Sequence, residues 1–181
     1  MPYFKSSKGA VPMINFHINP EKAGKKETPW RDIVMQDEGR IIYNGDNNDS
    51  DSRADEKKGN KVVLRVLGNY VSGDRQSRLH APPIIVTQKH FIDGKGGFKK
   101  FLGYGLITQP PKLVQQYERG LDNIFSNYQF EVTLFKLGDG EEFDWRWIDD
   151  RRDDSISLHD SLQHAPKAWK AWVEKGNSEL A

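Results

Sequence analysis

The chain contains no cysteine. Disulfides and cysteine-ligated zinc are thereby excluded, and nothing points to an oxidising compartment, so a cytoplasmic protein is expected. No run approaches the ~20 apolar residues that cross a bilayer. The opening residues, MPYFKSSKGAVPMINFHINP, lack the unbroken apolar core of a signal peptide, and no membrane is expected among the partners. Histidine is scarce. His17, His80, His90, His159 and His164 never fall at i, i+2 or i, i+4, so they offer no metal-ligand spacing. There is no Gly-x-Ser-x-Gly elbow, and DGKGGFKK lacks the Ser or Thr after Gly-Lys that a phosphate-binding loop needs. GDGEEFD lacks the alternating oxygen ligands and closing Glu of a calcium loop. Glu56-Lys57-Lys58 after Asp49 or Asp51 formally offers a nuclease-like Glu-x-Lys. It lies in a polar loop without the alternation that would fix the carboxylates around a metal. No catalytic residue, metal or cofactor is expected, and the chain reads as a binding module rather than an enzyme.

Net charge is also nearly absent, at +1 over 181 residues, but its distribution is uneven. Residues 72–105 carry six Lys or Arg against two acids, whereas residues 136–160 carry four against nine. A basic middle suits phosphates, with acids elsewhere limiting non-specific binding; two solvated faces of opposite sign are the plainer alternative.

At this length one core-bearing domain with appendages is expected. The divisions read as an irregular arm over 1–28, a β-rich domain over 29–160 and a C-terminal helix over 161–181. PWRDIVMQDEG has room for one helical turn before a first strand, RIIYNG. NKVVLRVLGNYV lacks clean alternation and could be a buried strand or a short helix. The Pro-Pro pair of LHAPPIIVTQKHF delivers the chain to a strand, IIVTQ. FLGYGLIT and NYQFEVTLFKL read as strands, with PPKLVQQYERGLDNIF between them as a short amphipathic helix. The last helix should run from Pro166 to Gly176, because Pro suits a first turn and Gly a C-terminal cap. NNDSDSRADEKKGN looks like a polar loop and DGKGGFKK like a Gly- and Lys-rich hairpin tip with an exposed Phe98, both of them mobile. The fold class is α+β: a curved β-sheet or small β-barrel with peripheral helices and a C-terminal helix.

Aromatics make up 11% of the chain, and many adjoin basic residues. Phe101, Phe125, Phe130 and Phe135 read as core; Tyr43, Phe98 and Tyr104 adjoin loops and suit either core or base stacking. Arg75, Arg78, Lys89, Lys95, Lys99 and Lys100 are candidate DNA phosphate contacts.

Taken in order, PWRDI, GRIIYNGDN, Gly59-Asn60, RLHAPPIIVTQ, KKFLGYGLI, NYQFEVTLF and APKAWKAWVEKG resemble the N-terminal recognition domain of AspBHI-type modification-dependent restriction endonucleases, over about Pro29 to Gly176. The resemblance implies an SRA/PUA-like fold that reads 5-methylcytosine in double-stranded DNA by base flipping. It also implies a separate C-terminal nuclease domain as partner, so the chain is expected to be a recognition module or a fragment of a longer nuclease. The marks 5-hydroxymethylcytosine and phosphorothioate stay open, as does a protein-interaction module built on DDRRDD and the Trp169/Trp172 helix. A flipped base needs aromatic planes, polar groups for its edge and a niche for the modification. YNGDNN offers Tyr43 for stacking, Gly45 for close approach, Asp46 to accept from a cytosine amino group, and Asn47, with Tyr104 as a further candidate. A simple turn competes, since Asn-Gly and Asp-Asn favour turns.

Overall fold

The computed structural model describes residues 11–25, 29–117 and 124–179. Among these, seven strands form one curled mixed sheet, a half-barrel flanked by five α-helices. The strands are β1 (Ile14–Ile18), β2 (Ile33–Met35), β3 (Arg40–Asn44), β4 (Ile84–Ile92), β5 (Lys95–Ile107), β6 (Lys112–Tyr117) and β7 (Ile124–Phe135). They lie in the order β1-β4-β5-β7-β3-β2, with β6 also on β7. Only the β1–β4 ladder is parallel.

The curved sheet with peripheral helices agrees with the expectation. The supposed irregular arm is corrected in part, because Ile14–Ile18 is a strand with Ile14, Phe16 and Ile18 in the core. Its period-two pattern, with Asn15 and His17 between apolar residues, fits a ladder partner for β4.

The expected helix over the PPKLVQQY stretch is also corrected. Residues 112–117 pair with β7 along the same edge that β5 uses: Ile107 sits opposite Val132 and Lys112 opposite Gln129. Four residues with Pro110-Pro111 bridge that gap, because proline cannot donate to the ladder and breaks the pairing there. Weak helical periodicity lost to the stretch of β7 edge, Ile124 to Gln129, that β5 leaves open. The rest of that expected helix, through residues 118–123, lies outside the described residues.

The undecided segment is helix α1 (Lys58–Val71), burying Val62, Val63, Val66 and Tyr70 at helical spacing. Short helices follow at α2 (Arg75–His80), α3 (Arg146–Arg152) and α4 (Leu158–Ser161). Helix α5 (Lys167–Lys175) starts after Pro166 and stops at Gly176, whose φ is +74°, as expected. It sinks Trp169, Trp172 and Val173 into the core, where Trp147, Trp169 and Trp172 meet ring to ring at 4.9–5.1 Å. Phe125 and Phe130 are buried as expected, with Phe101 and Phe135 packed against the core.

Arg151 within DDRRDD is interior. Its guanidinium donates to the carbonyls of Pro12, Leu79 and Ala81, and burial lowers its pKa to about 10. That arginine ties α3 to the lead into β1 and the end of α2, so it is unavailable to a protein partner.

The β4–β5 hairpin extends past the sheet and closes on Asp93-Gly94, both at positive φ, the geometry that Asp-Gly favours in a two-residue turn. Beyond residue 90 it is exposed through Lys100, presenting Phe91, Ile92 and Phe98 among its lysines.

Candidate nucleic-acid interface

Strands β1, β2 and β3 end together around a cavity of about 240 Å³. His17 and Asn19 come from the end of β1, Trp30 and Asp32 from the entry to β2, and Tyr43 with residues 44–48 from the end of β3. The antiparallel β2–β3 pairing brings Asp32 beside Asn44. There Asp32 Oδ1 accepts the Asn44 backbone N–H at 2.8 Å and its side-chain amide at 3.3 Å. Burial raises the Asp32 pKa, and the Asn44 bonds partly offset that.

The cavity is rich in acceptors. Thr87 donates its hydroxyl proton to Asn15 Oδ1, so the contact between His17 Nδ1 and Thr87 Oγ1 must use the ring's proton. Neutral His17 then keeps its lone pair on Nε2, and burial with nearby Lys99 lowers its pKa. Asn19 Oδ1 is buried without a partner, and so is Asn47 Oδ1. The Asn47 amide cannot be turned round, because its Nδ2 donates to the Ser126 and Ser52 carbonyls at 2.7 and 3.2 Å. Such orphaned acceptors cost about 1–3 kcal/mol each unless a ligand or water donates to them.

Of the residues expected to form the pocket, Tyr43, Gly45, Asp46 and Asn47 do line this cavity. Tyr43 is only 7% exposed and one ring face stacks on Phe16 at 4.0 Å, while Trp30 is half-buried and more open to a ligand. Trp30 is held edge-on to Phe125, and its indole N–H donates to the Asn47 carbonyl.

Asp46 requires a correction. Its carboxylate accepts the backbone N–H of Gly59 at 2.7 Å and of Asn60 at 3.0 Å. Helix α1 has no side-chain cap from Lys57, so Asp46 caps it from thirteen residues upstream. The carboxylate expected to read a base instead anchors a helix. Tyr104 is likewise misplaced by the expectation: it is fully buried on β5 against Phe135, Phe143 and Trp147, and it does not line the cavity. Its two-residue spacing from Leu102 and Leu106 turns it inward with them, although the flanking Gly103 and Gly105 resemble loop residues.

The loop after Asn47 is also more anchored than its polarity suggests. Asn47, Ala54, Gly59 and Asn60 are buried, and Lys57 pairs with Asp49 at 3.1 Å.

The basic candidates divide. Arg78 is 5% exposed and donates to the carbonyls of Val173, Ser72 and Glu174, satisfying the C-terminal end of α5; this corrects its expected role at phosphates. Arg75 forks onto Glu174 at 2.6–2.9 Å. Lys89 pairs with Glu21 and covers the Phe91 ring at 4.5 Å. Lys95, Lys99 and Lys100 are exposed on the hairpin, and Lys99 is close enough to His17 to lower its pKa. Of these lysines, Lys99 is the one whose charge acts on His17 at the cavity's edge. Among the described residues no cluster of three or more His, Asp or Glu is arranged to hold a metal, and no helix is long and apolar enough to cross a membrane.

The fold is shared with solved proteins. MspJI restriction endonuclease in complex with a 27-mer oligonucleotide matches with a TM-score of 0.81 at 26% identity, over 98% of this chain and 41% of that chain. The chain thus spans less than half of MspJI. The DNA recognition domain of the cytosine modification-dependent restriction endonuclease LpnPI shares the fold, with a TM-score of 0.69 at 19% identity over 92% of this chain and 70% of that one. So does the DNA modification-dependent restriction endonuclease AspBHI, with a TM-score of 0.67 at 21% identity over 96% and 75%. No curated protein matches the sequence. The family model described as restriction endonuclease AspBHI N-terminal matches residues 11–181, and the chain belongs to that family.

Proposed function

We propose that this chain is the specificity module of a modification-dependent restriction system. It binds double-stranded DNA, receives a flipped modified cytosine in the cavity at the ends of β1, β2 and β3, and leaves cutting to a separate nuclease domain. The observation that carries this reading is the concentration of acceptors around one aromatic-walled cavity. A cytosine edge offers an amino group with two donors. Asp32 is placed to accept from it, since Oδ1 alone is engaged by Asn44. Trp30 and Tyr43 supply ring surface, and Gly45 keeps backbone close to the base. Lys89, Lys95, Lys99 and Lys100 hold phosphates beside the cavity, fixing register without reading sequence. The mark proposed first is 5-methylcytosine. A second reading, 5-hydroxymethylcytosine, is favoured by the orphaned Asn19 Oδ1, which an added hydroxyl could donate to.

Variants Asp32→Ala and Trp30→Ala test the assignment. Each should lower affinity for modified duplex by about 1–3 kcal/mol, through a lost edge contact or lost stacking, while barely changing affinity for plain duplex. If both variants keep the full preference of the parent, the base is read elsewhere.

A further inference from the structure

Two buried asparagines that do not line the cavity, Asn60 and Asn127, hold the loop that forms its wall. Asn127 is fully buried on β7. Its Oδ1 accepts from Asn60 Nδ2 at 3.0 Å, the Tyr128 backbone at 2.9 Å and the Asn47 backbone at 3.4 Å, and its Nδ2 donates to the Gly45 carbonyl at 2.8 Å. Asn60 is also fully buried; its Oδ1 accepts from the Asp46 backbone at 3.2 Å and its Nδ2 donates to the Ala54 carbonyl at 2.8 Å. Gly45 N–H is taken by the Tyr128 carbonyl at 2.8 Å. Every residue from Gly45 to Asn47 is therefore held through its own backbone groups. The approach is so close that a Cβ at Gly45 would fall 1.9 Å from Asn60 Oδ1. The grip passes onward, because the Asn47 carbonyl receives the Trp30 indole N–H.

We infer that Asn127 and Asn60 are positioning residues for base discrimination: through Gly45, Asp46 and Asn47 they fix the cavity wall and the orientation of Trp30. This rests on the proposed reading of the cavity. Buried amide networks specify one arrangement when fully satisfied, and removing one member leaves several backbone groups without partners. A loop as rich in Asn, Asp and Gly as residues 44–49 has many turn conformations open to it, so its single geometry must be imposed from outside. Asn127 and Asn60 impose it from two different elements, β7 and α1.

The test compares Asn127→Ala with Val173→Ala, a core truncation in α5 remote from the cavity. Both are titrated well below their melting temperatures with plain duplex and with duplexes carrying 5-methylcytosine or 5-hydroxymethylcytosine. Asn127→Ala should reduce the modified-to-plain affinity ratio about ten-fold, the equivalent of roughly one net hydrogen bond. Plain-duplex affinity and its salt dependence should stay as in the parent. Val173→Ala should lower stability and leave the ratio alone. An unchanged ratio in Asn127→Ala, or an equal loss in both variants, overturns the inference. If Asn127→Ala does not fold, Asn60→Ser takes its place under the same criteria. Should the parent chain itself show no preference, the base-reading proposal fails instead. The positioning inference is then judged by Trp30 fluorescence, isolated as the difference from Trp30→Phe: the Asn127 variant must shift it, and an unshifted signal overturns the inference.

Discussion

Replacing Asp46 separates a helix cap from a base reader. Its carboxylate accepts two backbone N–H groups in the first turn of α1, at 2.7 and 3.0 Å, and the N-cap residue Lys57 supplies no side-chain cap of its own. Loss of an N-cap costs about 0.5–2 kcal/mol. Here the cap is charged, faces the positive end of the helix dipole and joins segments distant in sequence, so Asp46→Ala should cost about 2–3 kcal/mol. In a chain of this size that lowers Tm by about 4–12 °C. Asp46→Asn retains one amide acceptor and should lose about half as much. Thermal melts supply the stability arm, and duplex titrations at low temperature supply the binding arm. A base reader would behave differently, since an amide in place of the carboxylate would sacrifice the preference for modified DNA and leave Tm alone. Unchanged melting of Asp46→Ala, with preference abolished in Asp46→Asn, would refute the capping role.

Three further outcomes follow from other parts of the structure. Changing Lys99 or Lys100 to Ala should weaken plain and modified duplexes equally and make the salt slope shallower by about one unit per lost contact, whereas Arg78→Ala should leave the slope intact and lower Tm, by about 1–3 kcal/mol of stability for unpaired carbonyls; a slope that responds to Arg78 and not to the lysines would reverse that division. Burial raises the Asp32 pKa above its ordinary 3.8, so the folded state binds this proton more tightly than the unfolded chain. Asp32 should therefore favour folding increasingly as pH falls through the window between the raised and ordinary values, and the parent-minus-Asp32→Asn difference in melting should show that slope; preference for modified DNA should weaken over the same range as the acceptor is protonated. Purified chain with magnesium or manganese should leave methylated duplex uncut, and sustained cleavage tracking the protein through purification would contradict the division of labour proposed between recognition and cutting.

Much of the fold was legible because the decisive signals were local. Pro82-Pro83 before IIVTQ, the Gly- and Lys-rich DGKGGFKK tip that turns at Asp93-Gly94, and Pro166 and Gly176 around the last helix each act within a few residues. What stayed hidden depended on distant partners. Residues 112–117 became a strand because β7 offered an edge, and no local pattern announces that edge. The site was half legible: YNGDNN marked the right strand end, but the same side-chain types serve as ligand acceptors, helix caps and turn formers. Asp46 met the first turn of α1 and became a cap; Asp32, eleven residues before Tyr43, was brought to the cavity by the β2–β3 pairing. Only the PWRDI segment within the resemblance hinted at Trp30 and Asp32. Arg78 and Arg151 are indistinguishable in composition from solvated arginines, and only their carbonyl partners reveal them as interior staples.

The central claim is that this domain distinguishes modified from plain DNA. It is tested most directly by titrating the unaltered chain against one duplex sequence carrying cytosine, 5-methylcytosine, 5-hydroxymethylcytosine or a phosphorothioate at the same position, at a fixed salt concentration. Tighter binding to the 5-methylcytosine or 5-hydroxymethylcytosine duplex than to the plain one, by about ten-fold or more, is the predicted result, corresponding to about 1.4 kcal/mol. Equal affinity for all four duplexes would contradict it.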